Sequence, residues 1–264
     1  MNIASKSINT RLYLALLMSA GIFISSFTSA EEENLKEEEE SSAWKANVEF
    51  GYVATSGNTK TTTVNSGFAA VYEIEYWRHS INLKSIFGSA ENDTTSQVET
   101  NAERYFVEGK TDYKYSKESY AFLLVNYDDN RFSDNDYQTS LSAGRGFSFV
   151  PNEGAKFDME VGVGYRETKK KVTLLLAEET IDETIFRLAA NYTWEITENS
   201  KFEQKLSTEI GDENTVTKSY SGLSANVAKN MALKLSLTAT HQSDVRPETE
   251  NLDTVTAFTL VYNF

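Results

Sequence analysis

The sequence predicts an all-β fold, a transmembrane antiparallel β-barrel of about 12 strands. Three observations carry that expectation. Apolar and polar side chains alternate with period two from Trp44 to Phe264, and nothing in that stretch repeats at helical spacing. Most of the alternating segments run to about twice the globular mode of about 5–6 residues, enough for the about 9–11 that a tilted strand needs to cross a bilayer. The connections between them alternate between tight turns and longer polar loops, as in outer-membrane barrels.

Taken in order, the first strand is expected over 44–55, where Trp44, Ala46, Val48, Phe50 and Tyr52 alternate with Lys45, Asn47, Glu49 and Gly51. The Ser56-Gly57-Asn58 turn leads into 59–74, and Glu75 marks a tight turn before 77–90. Strands at 97–113 and 119–130 are weaker signals. In the former neither face is cleanly apolar, and in the latter Tyr120 to Val125 is apolar on both. Strands at 137–149 and 156–167 flank the Pro151–Gly154 turn, the latter with Phe157, Met159, Val161, Val163 and Tyr165 on one face. The expected loop at Thr168–Ile181 precedes 182–196, in which Phe186, Leu188, Ala190, Tyr192 and Trp194 share a face. Strands at 201–211, 216–228, 231–242 and 252–264 complete the set.

Alternation alone does not say which face looks outward. With the N-terminus of the barrel in the periplasm, Trp44, Trp77 and Trp194 all fall at periplasmic strand ends, with Tyr72, Phe147, Phe149, Phe157, Tyr192, Phe202 and Tyr262. Tyr52, Phe87, Tyr165 and Phe186 fall near the opposite ends. Two aromatic belts are the mark of interfacial anchoring. The other face carries charges of both signs: Lys45, Lys84, Arg166, Arg187, Lys205 and Lys234 with Glu49, Glu73, Asp158, Glu160, Glu195, Glu203 and Glu209. That mixture suits a wet lumen, and an even strand count closes the sheet without leaving an edge.

Before the barrel, Lys6 and Arg11, the apolar stretch Leu12–Ile24 and the small residues up to Ala30 predict a signal peptide over 1–30. Seven glutamates crowd Glu31–Glu40, so 31–43 is expected to be an acidic, solvated periplasmic segment ahead of a barrel at 44–264. The address implied is the cell outer membrane of a Gram-negative-type bacterium.

Composition narrows the function. The chain has 264 residues, no cysteine, 2 histidines and a formal net charge of −14. There is no thiolate metal site, no cysteine nucleophile and little material for a histidine site. The acidic balance argues against nucleic acid as a partner. No apolar run reaches the about 18 residues of a membrane helix.

Phe50-Gly-Tyr-Val-Ala-Thr-Ser-Gly-Asn-Thr-Lys60, followed by Val64, Phe68 and Tyr72, resembles the opening of the salt-induced outer-membrane protein family (YdiY-like, a domain-of-unknown-function family). The resemblance continues through Tyr76-Trp77-Arg78, Gly109-Lys110, Gly144-Arg-Gly146 and Phe258 to Phe264. It implies an outer-membrane location and a role in salt or osmotic stress, with no catalytic residue to carry over. The last strand, with Phe258, Leu260, Tyr262 and the terminal Phe264, also resembles the C-terminal signal that the barrel-assembly machinery reads. Expected partners are that machinery, outer-membrane lipids and lipopolysaccharide.

Enzyme chemistry finds little footing. An outer-membrane phospholipase needs a serine and a histidine within about 2.6–3.2 Å on the lipid face. His79 and His241 point outward but lie on distant strands, near Ser85 and Ser243 respectively, with no nucleophile motif around either. Gly144-Arg-Gly146 and Gly162-Val-Gly164 lack the third glycine of a dinucleotide fingerprint and read as wall glycines that leave room for large lumen side chains. Asp128, Asp129, Asp134 and Asp136 are expected in one external acidic loop, read as solvated rather than as a calcium site, since it lacks the glycine and distal glutamate of a known calcium loop. Lys169-Lys170-Lys171 fall in another, where they either meet lipopolysaccharide phosphates or stand in solvent on a strand that extends through Val172–Ala177. No catalytic, cofactor or metal residue is assigned. The expected function is non-enzymatic: envelope integrity, or a narrow, weakly selective pore. A substrate-specific channel is the alternative; a lipid-active enzyme is the distant one.

Overall fold

A computed structural model describes residues 43–55, 61–91, 97–131, 133, 135–171, 179–245 and 250–264. The expected signal peptide, the acidic stretch up to residue 42, the Ser56-Gly57-Asn58 turn and Asp134 lie outside the described residues.

Twelve strands run in chain order: β1 (Trp44–Thr55), β2 (Thr61–Glu73), β3 (Trp77–Glu91), β4 (Val98–Lys114), β5 (Ser119–Asn130) and β6 (Asn135–Phe149). They continue as β7 (Ala155–Lys170), β8 (Glu179–Thr197), β9 (Ser200–Ile210), β10 (Thr215–Ala228), β11 (Met231–Gln242) and β12 (Leu252–Asn263). Each pairs antiparallel with its sequence neighbours, and β1 pairs with β12 to close the barrel. Where the strands pair, closure satisfies their backbone donors and acceptors, the condition for a sheet to live in hydrocarbon.

The face assignment follows the expected parity. Leu235 is 52% exposed and points out of the wall, whereas its neighbour Ser236 is 8% exposed inside it. The outer face carries rows of exposed Val, Leu and Phe, among them Val48, Phe50, Val161, Val163, Leu188 and Leu233. At the rim with the short turns the aromatics pack in pairs: Trp44 on Tyr72 at 4.8 Å, Trp77 on Tyr113 at 5.0 Å and Phe149 on Phe157 at 5.0 Å. We call this the turn rim and the opposite end the loop rim. At the turn rim Gly154 has φ 77°, a left-handed conformation that any Cβ would strain.

Two expectations need correction at the loop rim. The expected Thr168–Ile181 loop is shorter, because Thr168 pairs with Ile181, Lys169 with Thr180 and Lys170 with Glu179. Apart from Ile181 those residues are polar on both faces, so alternation stops while the ladder goes on. The stretch Val172–Ala177 lies outside the described residues. Likewise Asp128 and Asp129 belong to β5 and Asp136 to β6, so no single loop holds the aspartates.

The closing seam differs from every other strand pair. β12 pairs with β11 from Leu252 to Tyr262, but with β1 only where Asn47–Phe50 meet Leu260–Asn263. β1 in turn pairs with β2 over its full length. Towards the loop rim, the facing edges of β1 and β12 part.

Candidate functional site: the lumen

The weak strand signals resolve in the lumen. β5 is apolar on both faces because Tyr120, Phe122 and Leu124 point inward as a buried cluster while Leu123 and Val125 face out. The wall beside this cluster, on β6 and β7, is kept thin. A Cβ on Gly146 would overlap the Tyr120 ring, and one on Gly162 would sit 3.0 Å from the Phe122 ring. The wall-glycine expectation therefore holds for Gly144, Gly146 and Gly162, whereas Gly164 faces only the Leu141 carbonyl and Ser142. Arg145 itself is exposed and shares the outward register of Ala121 and Val161.

Around that cluster runs a chain of alternating charges. Arg78 meets Asp112 at 2.7 Å, Lys110 meets Asp112 at 2.7 Å, and Lys110 meets Glu160 at 2.6 Å. The Tyr120 hydroxyl donates to Glu160 at 2.9 Å. From Glu160 the chain passes to Arg187 at 3.9 Å, then to Glu209 at 3.2 Å, to Arg166 at 3.6 Å and to Glu183 at 2.6 Å. Arg166, at 0% exposure, also donates to the Asn214 carbonyl. Four cations alternate with four carboxylates from β3, β4, β7, β8 and β9, so the chain is neutral and holds much of one side of the lumen. Buried pairs of this kind offset their desolvation rather than add large stability, but removing one partner is costly.

Nearer the loop rim, Arg104 binds Asp128 in a fork at 2.9 and 2.7 Å, and Lys218 reaches the same carboxylate at 3.1 Å. β5 and β10 stand on opposite sides of the barrel, so this contact crosses the lumen. It leaves cavities of about 50 Å³, between Asp128, Lys218, Arg187 and Glu209, and about 30 Å³, beside Arg104 and Asp253. Each holds at most a few waters. At the turn rim a wider bowl of about 850 Å³ opens between Arg78, Tyr120, Lys114, Lys156 and Phe149.

On the remaining side, Lys84, Lys205 and Lys234 approach the Tyr220 ring at 5.0, 5.7 and 5.9 Å. Lys234 also binds Glu49. These five belong to the expected charged face or stand beside it. The residues that sequence reasoning missed are Arg78, Arg104, Lys110, Asp112, Tyr120, Glu183 and Lys218. For Asp128 the missed signal was parity, since it lies in phase with the inward Tyr120, Phe122 and Leu124.

The serines named beside the two histidines are bonded to other groups. His79 Nδ1 lies 3.1 Å from Thr111 Oγ1 and stacks on Trp77 at 5.8 Å, while Ser85 pairs with Ser66 at 2.9 Å. Ser243 meets Asn214 Oδ1 at 3.1 Å and takes the Thr215 N–H at 2.8 Å. Nor is the lysine cluster a free basic patch: Lys171 Nζ donates to the Asn130, Arg131 and Ser133 carbonyls, tying β7 to the β5–β6 turn.

A closed twelve-strand barrel with this inner lining can be set beside known proteins. The sequence family described as "Protein of unknown function, DUF481" matches residues 48–264. The chain belongs to that family. It is 28% identical over 256 residues to the protein YdiY of Escherichia coli (strain K12), covering 94% of this chain and 96% of that one. Among solved structures it is similar to the NanC porin, with a TM-score of 0.49, 11% identity, and 82% and 98% of the two chains covered. It is similar to the COG4313 outer membrane channel from Pseudomonas putida F1, with a TM-score of 0.48 and 9% identity over 89% and 100%. The translocator domain of the autotransporter NalP from Neisseria meningitidis gives 0.47 and 8% over 98% and 99%.

Proposed function

We propose that this DUF481 barrel is a non-enzymatic outer-membrane protein that acts as a narrow, weakly charge-selective pore and supports the envelope under osmotic or salt stress. The observation that carries the pore reading is the 3.1 Å contact of Asp128 with Lys218 across the lumen. A twelve-strand wall encloses more than the filled eight-strand barrel and less than an open porin. Here opposite walls touch, so the room left beside the contact suits only water and small ions. Paired charges along the lumen cancel much of the field that a single-sign ring would focus on passing ions. The stress role rests on the family resemblance.

In this reading the turn rim faces the periplasm and the loop rim the outside, as short turns and longer loops do in such barrels. Phospholipid and lipopolysaccharide surround the apolar band. The strand ending in Phe264 is the one the assembly machinery receives, consistent with β12 being the strand that closes on β1.

Single-channel recording of the refolded full chain in planar bilayers tests the pore. Small conductance steps with a reversal potential near zero under a salt gradient support it. A silent bilayer would favour a purely structural barrel, the reading that the neutral ion-pair chain from Arg78 to Glu183 also supports. Release of fatty acid from the surrounding phospholipid would overturn the non-enzymatic assignment.

A further inference from the structure

We propose that Lys84, Lys205 and Lys234, gathered around the Tyr220 ring inside the lumen, form a binding site for a small anion bearing phosphate or carboxylate oxygens. The three ammonium groups come from β3, β9 and β11 and converge within 5.9 Å of one aromatic ring on β10. Lys84 arrives from across the barrel, since β3 and β10 are far apart in the strand order. The ring is laid back along its own strand: a Cβ on Gly222 would stand 2.6 Å from the Tyr220 hydroxyl oxygen and 3.0 Å from Cζ. Gly222 therefore lets the ring's face, rather than its edge, meet the lysines. A ring face attracts ammonium groups electrostatically and holds the flexible stems in one place.

Charge bookkeeping at the site comes out positive. Lys234 is bound to Glu49, and Glu203 is held by Lys201 at 2.9 Å. Lys84 and Lys205 make no ion pair among the described residues, and both are exposed to the lumen. Three ammonium groups held this close repel one another, and an anion between them converts that repulsion into attraction. The contrast with the other side of the lumen is sharp. There Lys110, Arg166 and Arg187 are each shared between two carboxylates, and no charge is left over to recruit a ligand.

The site deepens the pore reading but is tested apart from it. Calorimetric titration of the refolded full chain in detergent with inorganic pyrophosphate should show saturable binding. The double variant Lys84→Gln/Lys205→Gln should weaken it by at least about tenfold, as expected when two of three charge-assisted contacts are lost. Lys229→Gln, in an exposed turn, should leave it unchanged. Heat-modifiable gel mobility reports that each variant has folded. A wild-type barrel that does not bind pyrophosphate, or binds it equally well in the double variant, overturns the site whether or not the barrel conducts. Binding that is lost in the double variant while bilayers stay silent upholds the site and removes only the pore.

Discussion

Asp128 on β5 and Lys218 on β10, 90 positions apart in sequence, bridge the lumen at 3.1 Å. Because Arg104 holds the same carboxylate through two hydrogen bonds, removing Lys218 leaves Asp128 paired. Lys218→Ala should therefore lower stability by only about 1 kcal/mol or less, since Asp128 keeps its stronger partner and Lys218 is itself partly exposed to lumen water. It should at the same time widen the constriction and raise single-channel conductance by about twofold or more, since pore diameter sets passage through so narrow a lumen. Asp128→Asn should behave differently. It strands Arg104 and should cost about 3–5 kcal/mol if the pair is fully desolvated, less to the extent that lumen water reaches it. Denaturant titration in detergent and bilayer recording separate the two effects. Equal conductance in wild type and Lys218→Ala would place the narrowest point elsewhere.

The fit between Gly146 and Tyr120 gives a second test. The Tyr120 ring occupies the space a Cβ on Gly146 would need, and its hydroxyl is anchored on Glu160 at 2.9 Å. Gly146→Ala should be destabilising by about 1–3 kcal/mol, the usual cost of overpacking. In a Tyr120→Ala background the same substitution should cost little. A double-mutant cycle with no coupling would mean that the ring does not rest on this part of the wall.

How much of this was legible beforehand depends on which medium each face meets. The outer face could be read because hydrocarbon accepts only one kind of side chain, so Leu233, Leu235 and Leu237 declare their direction by themselves. The expected strands at 44–55, 119–130 and 231–242 coincide with β1, β5 and β11. The inner face obeys no such rule. Tyr120, Phe122 and Leu124 are apolar yet point inward, and Arg166 and Glu183 are charged yet buried. Which charge meets which depends on strand tilt and register, and these bring together residues such as Lys234 and Glu49, 185 positions apart. Asp128 looked like a loop residue because Asp128-Asp129-Asn130 is turn-like in composition, although its parity matched the lumen.

Arg145 offers a test of the lipid face. It is exposed, outward in register, and no ion pair is seen for it among the described residues. An outward arginine costs about 2–4 kcal/mol at the bilayer midplane and about 0–1 near the interface. Its strand ends with the aromatics Phe147 and Phe149, so its guanidinium can reach the headgroup region at the turn rim. Arg145→Leu should therefore shift folding stability in phospholipid vesicles by no more than about 1 kcal/mol, whereas Leu235→Arg should cost about 2–4 kcal/mol. A large gain for Arg145→Leu would put Arg145 near the midplane and shift the whole membrane band along the barrel.

The seam between β1 and β12 provides the last test. Pairing there covers Asn47–Phe50 against Leu260–Asn263, while Leu252–Thr259 keep only their β11 partners. In an antiparallel strand alternate N–H groups point to opposite neighbours, so about half of the amides along that stretch point at an edge without a ladder. Hydrocarbon does not tolerate such groups, each costing several kcal/mol, so water must reach them from the lumen or the loop rim. Hydrogen exchange measured by NMR in micelles should reflect this directly. Alternate amides between Thr254 and Phe258 should exchange at least about tenfold faster than those of Leu233, Leu235 and Leu237, which lie in a fully paired strand. A disulfide between Tyr52→Cys and Phe258→Cys, the residues that would face each other if the register continued, should slow the fast set. Uniform protection from Leu252 to Asn263 in the unlinked protein would show instead that the seam zips along its whole length.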